Sequence, residues 1–120
     1  MSGPELEAFV TRYVAAWNEP DPERRDALVA ALWAQDGVLV NGAGENRGRA
    51  AIQAAVTRSH EAFVQEGFCF VPGGASAAHH DGVRLAWDMV RDGAVASAGT
   101  SFLVLDGDGM IARDHQFLER

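Results

Sequence analysis

The stretch "YVAAWNEPDPERRDALVAALWAQDGVLVNGAG", residues 13–44, decides the fold. Together with the residues just before it, it places Leu6, Phe9, Val10, Tyr13, Val14 and Trp17 three and four residues apart, the spacing of one apolar helix face. Asn18 to Pro22 breaks that helix, and Asp21-Pro22 supplies an N-cap and first position for a second one. Leu28, Val29, Leu32 and Trp33 form its buried stripe, and Asp36-Gly37 is expected to end it. "VLV" at 38–40 then reads as a short strand closing on Asn41. A polar side chain there either stands at the mouth of a pocket or starts the turn into the glycines that follow.

Outward from this stretch, "NGAGENRGR" reads as a loop, and Ile52, Val56, Phe63 and Val64 as a third helix from Ala50 to Gly67. "FCFV" is a strand stopped by Pro72-Gly73-Gly74. The rest is a β-meander: "SAAHH", "VRLAWDMV", "AVASAGTSFLVL" and "MIARDHQFLE", separated by Asp81-Gly82, Asp92-Gly93 and the "DGDG" at 106–109. Helices first and antiparallel strands afterwards define an α+β fold, with three helices packed on one face of a sheet. Its longest strands require strong bending, for which Gly99 is a kink point. A bent sheet closed by helices makes a cone with a hollow centre, a natural small-molecule site.

The chain of 120 residues suits a single domain, 1–120, which at this size buries roughly two thirds of its unfolded surface. Seventeen acidic residues against ten basic ones, with no cluster larger than Arg24-Arg25, point away from nucleic acid. Cys69 is the only cysteine, so neither an intrachain disulfide nor a Cys-rich zinc motif is available. "MSGPELEAF" lacks the basic start and apolar core of a signal peptide, and no apolar run approaches the roughly 20 residues of a membrane span. A cytoplasmic protein away from membranes is expected.

Several motifs invite a functional reading and have a plainer one. The "DGDG" lacks an oxygen ligand where Met110 stands, which favours a hairpin turn over a calcium loop. "NGAGENRG" precedes a helix as a phosphate cradle would, but lacks the P-loop ending; Arg47 and Arg49 leave a weak anion site open. His79 and His80 on a regular strand point to opposite faces and do not chelate together. Trp17, Trp33 and Trp87 are either core or the walls of an aromatic cavity. On the last strand, Ile111, Arg113, His115 and Phe117 share a face, and the two apolar members suggest that it points inward. An inward His115 is the general acid/base of choice by residue type, against a histidine satisfied at the rim. Asp114 and Gln116 are then expected to face outward, as is Asp88 between Trp87 and Met89.

With these residues in view, the chain resembles the nuclear transport factor two-like superfamily, which includes ketosteroid isomerases and SnoaL-like polyketide cyclases. The resemblance rests on "RYVAAWNEPDPERRDALVAALWAQDGVLVNGAG", "GRAAI" at 48–52 and "AGTSFLVLDGDGMIARDHQFLE" at 98–119. It implies a cone-shaped α+β barrel, three N-terminal helices on a strongly bent, mixed and mainly antiparallel sheet, and a homodimer through the convex sheet face. Outward Val95, Leu103 and Leu105 would suit such an interface.

Ketosteroid isomerase is the most informative relative. Its oxyanion-hole tyrosine falls on Tyr13, its base aspartate on Asn41, and its second oxyanion acid on Thr100. An asparagine amide takes up no proton near neutrality, so that reaction is not expected here. Trp87, Phe102 and Phe117 fall where that family lines its pocket with bulky apolar groups. The expectation is therefore a cavity for a hydrophobic metabolite, with isomerase, cyclase or dehydratase chemistry and no metal or cofactor. His115 and Tyr13 would be catalytic; Trp17, Trp33, Asn41, Trp87, Thr100, Phe102 and Phe117 would hold the ligand. A non-catalytic ligand-binding or dimerisation module is the alternative.

Overall fold

The protein is described by a computed structural model covering all 120 residues. Helix α1, Gly3–Asn18, begins at a capping box: Ser2 Oγ accepts from the Glu5 N–H and Glu5 Oε1 from the Ser2 N–H. Helix α2, Pro22–Leu32, starts as expected, with the Asp21 carboxylate accepting from the Arg24 N–H at 3.0 Å. It ends four residues earlier than Asp36, because Trp33 turns extended and begins strand β1, Trp33–Asn41. Gly37 lies inside that strand. A Cβ there would sit 3.0 Å from the carbonyl oxygens of both Ala34 and Ile111, so only glycine permits this close approach.

The expected loop after Asn41 is mostly a hairpin. Strand β2, Gly44–Arg47, pairs antiparallel with β1, with Asn41 opposite Gly44. Helix α3, Arg49–Ala62, is followed by a single 3₁₀ turn, Val64–Glu66, and Gly67 in the left-handed region. Strands β3 (Cys69–Pro72), β4 (Ala77–His79), β5 (Gly82–Arg91), β6 (Ala94–Leu105) and β7 (Ile111–Leu118) complete the meander. Asp92 and Gly93 both take positive φ, 54° and 77°, as a tight β5–β6 hairpin requires.

The strand order is β2-β1-β7-β6-β5-β3, with β4 alongside β5. Only β1 and β7 run parallel, so the sheet is mixed and mainly antiparallel, as expected. It does not close into a barrel: β2 and β3 are free edges, and α1 against β3 and α3 against β1 cover the hollow instead. The core gathers Phe9, Val10, Val14, Val29, Leu39, Ile52, Val56 and Leu85 between helices and sheet.

One irregularity in β7 reorders everything downstream. Opposite β6, Ile111 pairs with Leu105 and Arg113 with Val104, which leaves Ala112 as an extra residue. A one-residue bulge reverses which side chains face the core. Ile111 is fully buried before it and Asp114 fully buried after it. Arg113, His115 and Phe117 therefore turn to the convex face, and the inward placement expected for His115 and Phe117 is overturned. Leu103, expected outward, is buried beside Asp114. Against β5, β6 keeps its register through Gly99, from Ala98 opposite Asp88 to Thr100 opposite Ala86.

Candidate functional site

A cavity of about 420 Å³ lies between α1, α3 and the concave face of the sheet. Trp17, Phe63, Phe70, Trp87 and Met89 form its apolar wall, with Trp17–Phe70 and Phe70–Trp87 meeting edge to face at 6.4 and 5.8 Å. Trp87 reaches this wall by lying flat over Gly99, where an added Cβ would fall 2.1 Å from the indole. The polar side is Tyr13, Asn41, Ser59, Ser97 and Gln116. No charged side chain lines the cavity. An ion entering such a cavity would lose hydration without gaining a counter-charge.

Of the residues singled out from sequence, Tyr13, Trp17, Asn41 and Trp87 line this cavity. Trp33 does not; it is fully buried behind Tyr13, ring centroids 5.5 Å apart, and belongs to the core. Thr100, Phe102 and Phe117 alternate onto the convex face, where the two phenylalanines are 45% and 55% exposed. His115 joins them, its Nε2 accepting from Arg113 Nε at 3.3 Å. Asp88, as expected, points away from the cavity that holds Trp87, which follows from simple alternation along β5.

Beneath the cavity lies a hydrogen-bonded chain that sequence reasoning missed. The Tyr13 hydroxyl donates to Asp114 Oδ2 at 2.7 Å and lies 3.1 Å from Ser101 Oγ. Gln116 Nε2 donates to the Tyr13 oxygen at 3.1 Å, and Asn41 Nδ2 donates to Gln116 Oε1 at 3.2 Å. Asn41 Oδ1 in turn accepts from the Ala43 N–H at 3.0 Å. Asn41 thus both starts the β1–β2 turn and stands at the pocket mouth.

Burial pushes the Asp114 carboxyl up to about 7, against hydrogen bonds from Tyr13 and Trp33 that hold it down. The Trp33 indole N–H and Asp114 Oδ1 each lack a partner of good hydrogen-bond geometry, yet the indole is close enough to favour the carboxylate. Tyr13 is raised well above the ordinary phenol range by its own burial, and then by the Asp114 charge. A buried carboxyl raised toward neutrality and hydrogen-bonded to a buried tyrosine is a candidate acid/base pair. One signal could have found it: a tyrosine on the inner face of α1 must hydrogen-bond something when buried, so an inward polar group was required opposite it.

Residues 10–114 match the SnoaL-like domain, and the chain belongs to that family. Among solved structures it is similar to a candidate isomerase of the SnoaL-like family from Agrobacterium tumefaciens, at 30% identity and TM-score 0.90. That match covers 98% of this chain and 99% of the other. A candidate polyketide cyclase from Sinorhizobium meliloti shares the fold at 18% identity and TM-score 0.73, covering 98% and 100% of the two chains. So does a de novo designed protein with a curved β-sheet, at 14% identity and TM-score 0.75, covering 99% and 88%. The fold expectation, a nuclear transport factor two-like α+β architecture, is met. No curated protein matches the sequence.

Proposed function

We propose that this protein binds an uncharged, largely apolar small molecule in its cavity and moves a proton on it, an isomerase-, cyclase- or dehydratase-type reaction needing no cofactor. The observation that carries this reading is the Asp114–Tyr13 pair under the polar end of the cavity, with its carboxyl titrating near 7. Asp114 is the acid/base, and Tyr13, whose hydroxyl reaches the cavity, passes the proton between it and the ligand. His115, the earlier candidate, has no part in this chemistry because it faces the other side of β7. The similarity to a candidate isomerase supports the reaction class. Ketosteroid isomerase chemistry is not proposed, since Asn41 supplies no base.

The second reading, a non-catalytic binding module, has its own support: Asp114 is fully buried and Tyr13 only 2% exposed. One experiment separates the two. A thermal-shift screen of uncharged metabolites finds a ligand, which is then incubated with the protein in heavy water and recovered. Deuterium incorporation that disappears in Asp114→Asn supports the enzyme. A bound ligand returned without deuterium leaves the binding module.

The same proposal includes a homodimer through the convex face, favoured by exposed Phe102 and Phe117 on an open sheet. Gel filtration should show twice the 12.8 kDa chain mass. No helix is long and apolar enough to cross a membrane. A cytoplasmic setting is proposed on the unpaired, exposed Cys69, which persists most readily where thiols stay reduced.

A further inference from the structure

Gln116 stands between the buried Tyr13–Asp114 pair and the open cavity, and both ends of its amide are committed. Nε2 donates inward to the Tyr13 oxygen, and Oε1 accepts from Asn41 Nδ2. With Asp114 ionised, every donor in the row points the same way: Asn41 to Gln116, Gln116 to Tyr13, Tyr13 to Asp114. The Ala43 N–H pins Asn41 by its oxygen, so Asn41 keeps its N–H groups toward Gln116.

We propose that Gln116 sets the ligand specificity of the cavity by turning its amide over when Asp114 gains a proton, which reverses the hydrogen-bonding character of the pocket mouth. The hydrogen-bond geometry permits the reversal. A proton taken from solvent by Asp114 has two oxygens to choose from. Oδ1 has no hydrogen-bond partner to receive it, whereas a proton on Oδ2 is donated straight to the Tyr13 oxygen. Tyr13 then aims its own hydrogen at Gln116 rather than at Ser101, and a Gln116 N–H pointing at it would oppose donor to donor. Rotation of the terminal amide, a soft torsion, brings Oε1 to the Tyr13 hydroxyl instead. Asn41 and Gln116 now face each other with N–H groups and no acceptor between them. A ligand oxygen fills that gap.

Only O–H and amide orientations change; apart from the proton on Asp114, no covalent bond forms or breaks. The groups facing Asp114 are Tyr13 from α1, Trp33 and Leu39 from β1, and Ser101 and Leu103 from β6. Tyr13 alone among them titrates, and it does so far above neutrality, so the switch answers to Asp114. His115 and Arg113 lie on the opposite face of the strand. Ser101 is the competing outlet for the Tyr13 hydrogen, being 3.1 Å away.

This inference deepens the cavity reading and rests on it for its ligand arm alone. The first test needs no ligand. In the isotopically labelled full chain, the side-chain amide resonances of Gln116 and Asn41 are followed by NMR between pH 5.5 and 8.5, with the Asp114 carboxyl carbon. All three should move with one midpoint, Asp114→Asn should flatten both amides, and Ser101→Ala should leave them titrating. Amides that stay still while the carboxyl titrates, or a carboxyl that does not titrate in this range, overturn the proposal. A Gln116 amide response that appears only in Ser101→Ala, and not in the unaltered chain, overturns it too, by making Ser101 the outlet.

The second test compares 2-acetylnaphthalene, which only accepts hydrogen bonds, with indole, whose N–H only donates. The ratio of ketone to indole affinity should rise about fivefold from pH 8.5 to 5.5, the worth of one net hydrogen bond. It should stay flat in Gln116→Leu. A ratio independent of pH in the unaltered chain overturns the proposal. Failure of both probes to bind counts against the cavity as a site for such ligands, and the amide titration still decides the switch.

Discussion

Asp114 and His115 are neighbours on β7 and live in different solvents. Asp114 lies on the concave face, fully buried, with one oxygen held by Tyr13 and its carboxyl raised to about 7. His115 lies on the convex face beside Arg113, between the exposed Phe102 and Phe117. By residue type the histidine is the natural acid/base near neutral pH, and the aspartate is not. Burial raises the aspartate into the range that residue type gives to a histidine. What a side chain can do in this fold is set by which face of the sheet it occupies.

The largest expected effect that could break this contrast is on stability. Asp114 goes from about 3.8 when exposed to about 7 when folded, so the folded state holds its proton more tightly. Its stabilising contribution is complete below pH 4 and is lost as pH rises through 7, roughly 4 kcal/mol in all by linkage. Urea unfolding at pH 5 and pH 8 should show this decline, and Asp114→Asn should remove it. An unchanged slope in the variant would mean that Asp114 is not the titrating group. His60 on α3 works in the opposite sense: burial, then the charge of nearby Arg25, lowers its pKa. The folded state then resists its protonation, so stability falls as pH drops below about 6.5. His60→Gln should flatten the acid side of the curve and leave the decline toward pH 8 intact.

The next effects concern the cavity. Gly99→Ala should displace Trp87 and cost about 1–3 kcal/mol through overpacking, with a shifted tryptophan emission as the optical sign. Tyr13→Phe should leave Asp114 Oδ2 without its donor, costing about 1–3 kcal/mol, and raise the Asp114 midpoint further because that hydrogen bond favours the carboxylate. Smallest is His115→Ala. It should change stability by no more than about 0.5 kcal/mol and leave the cavity's ligand affinity untouched, measured by the same thermal shift. A large effect there would place function on the convex face and invert the comparison.

Much of this was legible in the residues. The apolar stripe from Leu6 to Trp17, the Asp21-Pro22 start and the Asp92-Gly93 hairpin are local signals, and each appears where its physics requires; the turn expected at Asp81-Gly82 falls one residue earlier, on His80-Asp81, with His80 at positive φ and so off the strand. Tyr13, Trp17, Asn41 and Trp87 reach the cavity because helix period and strand alternation carry them there. The errors are concentrated in the last two strands. In "AGTSFLVL" both phases of the alternation are partly apolar, so Phe102 and Leu103 compete for the core without a local winner. In "MIARDHQF" the inward Ile111 implied an inward His115, and the extra residue at Ala112 cancelled that inference.

By itself, then, the sequence determined the helices, the hairpins of the meander, the α+β class and four of the pocket-lining residues, Tyr13, Trp17, Asn41 and Trp87, because periodicity and turn chemistry act within a few residues. Only the tertiary structure decided the register of β7, and with it which of His115 and Asp114 faces the core. A bulge costs nothing that a single strand can display; it exists because β6 and β1, distant in sequence, fix the pairing on either side. The raised carboxyl near 7 is likewise a property of the walls built around Asp114 by Tyr13, Trp33 and Ser101, contributed by three other elements of the chain.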